Sequence, residues 1–302
     1  MRGDRYLIGS FTFAVLLLAG CAGTGSPGAA APPSPTTATP AVPQEPLGLV
    51  GAWSVSGRGV PADTVLRLAD DGLVVFRGCE MLLGEWRADQ SGLFLAGVHG
   101  NSTTDSRRCE PAPRPEAPDW LARAAAFRAE GDSRVLLDAE GDELARLRPG
   151  ARPRGGPDVY RPWLEPPTVT DEVRRRLAPV PALPGDLAAP GRDDLVGRWV
   201  PVSGPDGRTP APGPGGWPTP PFAELAADGT WRASDGCNGS GGRWAAGPGG
   251  AFGATGGMST LIGCDNVPVN GWLTTARQAG LDGDVLVLRD AQGKETGRLR
   301  RG

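Results

Sequence analysis

Histidine and lysine are almost missing from this chain, where His99 and Lys294 are the lone examples of each in 302 residues. A Ser-His-Asp triad could draw only on His99, and no serine sits in a Gly-x-Ser-x-Gly elbow. His99 lies in Gly97-Val98-His99-Gly100, which reads as an exposed loop rather than the setting of a catalytic base. None of the five cysteines stands at Cys-x-x-Cys spacing. With one imidazole available, that spacing excludes an ordinary zinc site. The Walker phosphate loop and the EF-hand spacing are also missing. Basic residues number 31 against 34 acidic, a net charge of −3. The electrostatic footprint of a DNA- or RNA-binding protein is therefore absent, and no cofactor motif replaces it.

What the chain does have is glycine and proline, 47 and 32 residues, which commit much of its length to turns and connections. Residues 1–20 read as a targeting signal, with Arg2 and Arg5 ahead of the apolar run from Leu7 to Leu18. That run is shorter than the roughly twenty apolar residues of a membrane-spanning helix. It ends in Leu18-Ala19-Gly20-Cys21, which resembles a lipobox. The resemblance implies cleavage before Cys21, acylation of its thiol and anchoring to the extracytoplasmic face of a cell membrane. Residues 21–47 then read as the lipidated cysteine and an extended Ala/Pro/Thr spacer.

Beyond the spacer the sequence repeats itself. Leu49-Val50-Gly51-Ala52-Trp53 returns as Leu195-Val196-Gly197-Arg198-Trp199, and Asp71-Gly72 as Asp228-Gly229. Gly78-Cys79 returns as Gly236-Cys237, and Gly84-Glu85-Trp86 as Gly242-Arg243-Trp244. Cys109 answers to Cys264, and Trp120-Leu121 to Trp272-Leu273. Asp138 to Glu143 and Asp290 to Glu295 both run into Arg-Leu-Arg. Two copies of one domain follow, 48–149 and 193–302, joined by a Pro-rich linker, 150–192. Within the linker, Thr170-Asp171-Glu172 can cap a short helix through Leu177. Its Arg174, Arg175 and Arg176 read either as a contact for anionic lipid or partner or, the blander reading, as a solvated helix face.

Runs such as Thr64–Leu68 and Leu73–Phe76 flank an Asp-Gly turn, and Asp284–Leu288 and Glu295–Leu299 flank another turn; both read as hairpins. Helical spacing of apolar residues recurs from Trp120 to Phe127 and from Trp272 to Ala279. The expected class is α+β, mainly antiparallel β: two tandem small curved-sheet or barrel-like domains, each with one helix. Four cysteines allow three pairings, and duplication favours Cys79–Cys109 and Cys237–Cys264. An exported chain sits where such bonds persist.

Gly236-Cys237-Asn238, Gly242-Arg243-Trp244 and the run from Met258 to Cys264 resemble the META/HslJ-like domain, as does the closing hairpin of residues 284–299. The first copy departs from that pattern, with Gly78-Cys79-Glu80 and a wider gap between Ser102-Thr103-Thr104 and Cys109. The resemblance implies an envelope location, an association with stress or antibiotic tolerance in some members, and no catalytic residues to carry over. Asn238 and Thr260 read as turn formers or as ligand contacts. Six of the nine tryptophans fall at repeated positions and suit a core, while Trp217 has no counterpart and reads as a loop aromatic open to a partner. Carboxylates cluster in turns, at Asp70-Asp71, Glu140 to Glu143, and Asp282 with Asp284. The expectation is a non-enzymatic, membrane-anchored envelope lipoprotein that binds a partner or small ligand or supports stress tolerance. It contacts the bilayer through acylated Cys21. The alternatives are an envelope enzyme using carboxylates on cell-wall material, and a purely structural spacer.

Overall fold

The computed structural model describes residues 44–70, 72–204, 206, 219–257, 259–260, 263 and 266–302. The signal segment with Cys21, most of the spacer, Asp71, Trp217 and Cys264 lie outside the described residues.

Each sequence copy builds one eight-stranded antiparallel sheet, and the strand order is the same in both. In the first, five strands form a meander: β1 (Gly51–Ser56), β2 (Val65–Ala69), β3 (Gly72–Arg77), β4 (Glu80–Ala88) and β5 (Phe94–Thr103). A single helical turn, α1 (Asp119–Ala122), leads to β6 (Ala126–Glu130), β7 (Ser133–Leu137) and β8 (Glu143–Pro149), and β8 returns to pair with β1. The sheet curls until its outer strands touch, with Phe94 N donating to Ala125 O at 3.0 Å and Phe127 N to Gly92 O at 2.7 Å. Alternate residues line the interior of the curl. Leu66, Leu68, Leu73, Val75, Leu82, Trp86 and Phe94 all point inward and are buried.

The connecting segment holds α2 (Asp171–Arg176) and α3 (Arg192–Leu195). The second copy then runs β9 (Gly197–Ser203), β10 (Phe222–Leu225), β11 (Thr230–Ser234), β12 (Gly239–Ala246) and β13 (Phe252–Ala254). After α4 (Val269–Thr275) come β14 (Gln278–Asp282), β15 (Val285–Arg289) and β16 (Glu295–Arg301). Phe252 N donates to Arg277 O at 3.0 Å, which brings the outer strands of this sheet together in turn.

Both expected hairpins form, as β2–β3 and β15–β16. The helices are shorter than their apolar spacing suggested. Phe127 belongs to β6 and Ala279 to β14, because these residues complete the sheet that the helix only introduces. No helix among the described residues is long and apolar enough to cross a membrane.

The tryptophans show that the two copies share internal packing as well as topology. Trp53 and Trp199 donate from Nε1 to Leu49 O and Leu195 O, each at 2.8 Å. Trp86 donates to Ala69 O at 2.8 Å and Trp244 to Ala226 O at 3.0 Å. Their rings stack on Phe94 and Phe252 with centroids 6.5 and 6.4 Å apart. A buried indole N–H gains from a partner, and for these four a backbone carbonyl supplies it.

The barrels meet along β4–β5 and β12–β13. Leu93, Leu95, Ala245 and Ala251 form an apolar cluster there. Glu85 Oε1 accepts a hydrogen bond from Gly256 N across the junction. The connecting segment is docked along its length. Val173 and Leu177 are buried in the first core, and Val159 covers Val74, Phe76 and Met81 on its outer face. Ala188 pairs with Leu281 of the second barrel. Thr170 caps α2 by accepting from Val173 N at 3.2 Å. Arg174 and Arg175 are exposed and pair with Asp171 and Glu172. Arg176 turns the other way, with its guanidinium 5.0 Å from the Trp86 ring centre and a hydrogen bond to Ala69 O at 3.1 Å. The three arginines therefore form no common contact face.

Candidate functional site

Two turns, one from each barrel, frame a cleft between the barrels. After β7, Asp138 opens the closing hairpin, where Oδ1 accepts the N–H groups of Glu140 at 3.2 Å and Asp142 at 2.8 Å. Its Oδ2 accepts from Arg123 Nη2 at 2.6 Å, which ties the turn to the end of α1. Opposite lies the Asp228-Gly229 turn between β10 and β11. Asp228 Oδ1 accepts from Thr230 N at 2.8 Å and from Thr230 Oγ1 at 2.6 Å. Those bonds, the hydroxyl's first, hold the Asp228 carboxyl below the ordinary aspartate range.

Between the turns is a cleft of about 490 Å³ lined by Arg123, Asp138, Glu140, Arg192, Asp228, Arg243 and Trp244, with alanines 124, 125, 139 and 227. Arg192 lies over the Trp244 ring, 4.7 Å from its centre, and donates to Ala227 O at 2.9 Å. Arg243 donates to Asp228 O at 2.9 Å. Burial lowers the Arg243 pKa, opposed by the Asp228 charge and reinforced by Arg192.

The cleft's guanidiniums suit it to recognition of an anionic or polar group. A glycosidase-like pair needs one carboxyl kept protonated beside one ionised. Asp228 is stabilised as an anion, and Asp138 is locked between two amides and a guanidinium. Arginine N–H donors, by contrast, remain available. Elsewhere, burial raises the pKa of Asp89, against bonds from Ser91 and Leu93 and the charge of Arg277. Asp89 organises the β4–β5 turn, however, through Ser91 N at 2.9 Å and Ser91 Oγ at 2.5 Å.

Of the residues singled out from the sequence, Glu140 of the turn carboxylates and the repeated Trp244 line this cleft, whereas Cys79, Cys109, Cys237, His99, Asn238 and Thr260 do not. Cys79 and Cys109 are disulfide-bonded, with Cα atoms 5.8 Å apart. Cys237 is also disulfide-bonded, and its expected partner Cys264 lies outside the described residues, as do Cys21 and Trp217. His99 is exposed but sits on β5 rather than in a loop. Thr260 is exposed, and its carbonyl accepts from Ser259 Oγ at 3.1 Å. Among the described residues, no three His, Cys, Asp or Glu side chains gather as metal ligands would.

Asn238 is buried in a turn organised by a residue the motif reading passed over, Asp235. Asp235 Oδ1 accepts from Cys237 N at 2.8 Å and Asn238 N at 2.5 Å. Its Oδ2 accepts from Asn238 Nδ2 at 3.3 Å and Asn266 Nδ2 at 2.7 Å. Burial pushes this carboxyl up, but the amide and side-chain donors together outweigh it and hold the pKa below the ordinary value. The stabilisation is therefore complete above the unfolded pKa of about 3.9 and is lost as pH falls through the lower folded value. Tryptophan fluorescence melts between pH 5 and 2 should show the second barrel losing stability over that window. Asp235→Asn should be flatter there and weaker at pH 7 by about 1.5–3 kcal/mol. Identical acid profiles for the two proteins would refute this role. An Asp placed just before Gly236-Cys237-Asn238 is an Asx-turn pattern, so the signal was present.

Arg123, Arg192 and Arg243 were also missed. Arg243 stands inside the repeated Gly-x-Trp motif, where the first copy carries Glu85. That reversal of charge at one repeated position was the available sign. Comparison with protein-family models, with curated proteins and with solved structures finds no match for this chain.

Proposed function

We propose that the protein is a lipid-anchored, non-enzymatic binding protein of the cell envelope, built from two META/HslJ-like barrels, and that the inter-barrel cleft holds its ligand. The observation that carries the reading is the state of the cleft's polar groups. The carboxylates of Asp138 and Asp228 already serve their turns, whereas the guanidiniums of Arg192 and Arg243 keep donors free. A cleft that combines small apolar walls with a few convergent polar groups suits a ligand site. The lipobox at Cys21 supports the address, and the repeated motifs support the family.

Full-length protein purified from membranes tests the reading. Its intact mass should begin at an acylated Cys21, and it should bind isolated envelope material saturably while leaving cell-wall substrates unchanged. Turnover of cell-wall material, or an unacylated chain that binds nothing in the envelope fraction, would refute it.

A further inference from the structure

The cleft reading can be carried to a ligand class, because two guanidiniums close over one glycine. A Cβ placed on Gly229 would stand 2.9 Å from Arg243 Nη2 and 3.3 Å from Arg192 Nη2. The two side chains arrive from different elements, Arg192 from α3 and Arg243 from β12. Each is held by a backbone carbonyl, and Arg192 also by the Trp244 face. No salt bridge pairs either of them among the described residues. Asp228 acts on both through space, but its Oδ1 is committed to Thr230. Arg123 lines the same cleft and uses Nη2 on Asp138. Glu140, exposed at the rim, is the remaining carboxylate.

Like charges brought this close repel, and burial strengthens the repulsion. The Asp228 carboxylate offsets that repulsion at Arg243, while the hydrogen bonds that fix both guanidiniums go to neutral carbonyls and leave further donors for an anion entering the cleft. A carboxylate is satisfied by one guanidinium fork. A tetrahedral dianion offers oxygens to two forks approaching from separate directions.

We propose that Arg192 and Arg243 form a binding site for a phosphomonoester group. The assignment rests on the binding reading above. Its source is either a soluble phosphate compound or a lipid headgroup, and the same experiment separates the two.

Full-length protein in neutral detergent is titrated calorimetrically with inorganic phosphate, with short-chain phosphatidic acid and with short-chain phosphatidylcholine. Saturable phosphate binding is expected, weakened about tenfold or more in Arg243→Gln and in Arg192→Gln. Arg175→Gln, which alters an exposed arginine on α2, should bind as wild type does. Arg192→Lys keeps the charge, so it should retain more affinity than Arg192→Gln, and near-UV circular dichroism checks that Trp244 stays packed. Tighter binding of phosphatidic acid than of phosphate, with phosphatidylcholine silent, identifies a lipid source; the reverse order identifies a soluble one. Absence of phosphate binding, or equal binding in both glutamine variants and wild type, overturns the proposal. If the protein still binds envelope material in that case, only the phosphate assignment falls and the broader reading stands.

Discussion

Gly242→Ala is expected to destabilise the second barrel by about 3 kcal/mol or more, an overpacking effect at the upper end of its usual range. A Cβ on Gly242 would lie 2.1 Å from the Thr255 carbonyl oxygen and 2.8 Å from Trp231 Nε1. That oxygen already accepts the Trp231 N–H at 2.9 Å, so backbone and ring would both have to move. The first barrel repeats the constraint: a Cβ on Gly84 would meet Gly97 O at 2.0 Å. Here the β4–β5 register shifts between Leu83 and Gly84, where His99 is the extra residue of a bulge that bends β5. The Gly-x-Trp motif is thus a steric requirement of each barrel, with the tryptophan filling the core and the glycine letting the next strand approach. Gly271→Ala provides the contrast. Nothing lies within 4 Å of its Cβ position and it is inside α4, so alanine there should raise stability by about 0.5–1 kcal/mol. Thermal melts followed by tryptophan fluorescence decide the matter. Melting of Gly242→Ala at the wild-type temperature would contradict the packing described.

Removal of the Cys79–Cys109 bridge as Cys79→Ala/Cys109→Ala should destabilise the first barrel by about 3.5 kcal/mol, the loop-closure value for its sequence separation of 30. The bridge ties the β3–β4 turn to the segment that follows β5, where Thr104 N also donates to Cys79 O at 2.9 Å. One backbone hydrogen bond contributes about 1 kcal/mol net, so the covalent link dominates that attachment. For a barrel of about a hundred residues the melting temperature should fall by roughly 15–25 °C. Calorimetry of wild type with and without reductant should show a shift at least as large, since reductant also cleaves the bond at Cys237. A change of only a few degrees would mean that the core alone holds this loop.

How much of this was legible in the sequence depends on the range of the interaction involved. Thr64 to Phe76 and Asp284 to Leu299 announced their hairpins because alternation and turn residues act between neighbours. The capped helix at Thr170 was readable for the same reason. The segment from Trp120 to Phe127 misled because a short apolar run fits helix and strand equally, and the sheet claimed its second half. Val173 is a single apolar residue among charges, and nothing local announces that it enters the first core. The convergence of Arg192 and Arg243 on Gly229 is likewise a product of tertiary structure. Asp235 is legible too, because an Asp directly before Gly236-Cys237-Asn238 is a local Asx-turn signal.

The docked connecting segment acts as a ruler. It supplies Arg176 to Trp86 of one barrel and Arg192 to Trp244 of the other, so the chain between those two caps is gauged to one span. Val173 and Leu177 are sunk in the first core and Ala188 pairs with the second barrel, so exchange of a barrel between two copies would first have to undock this segment.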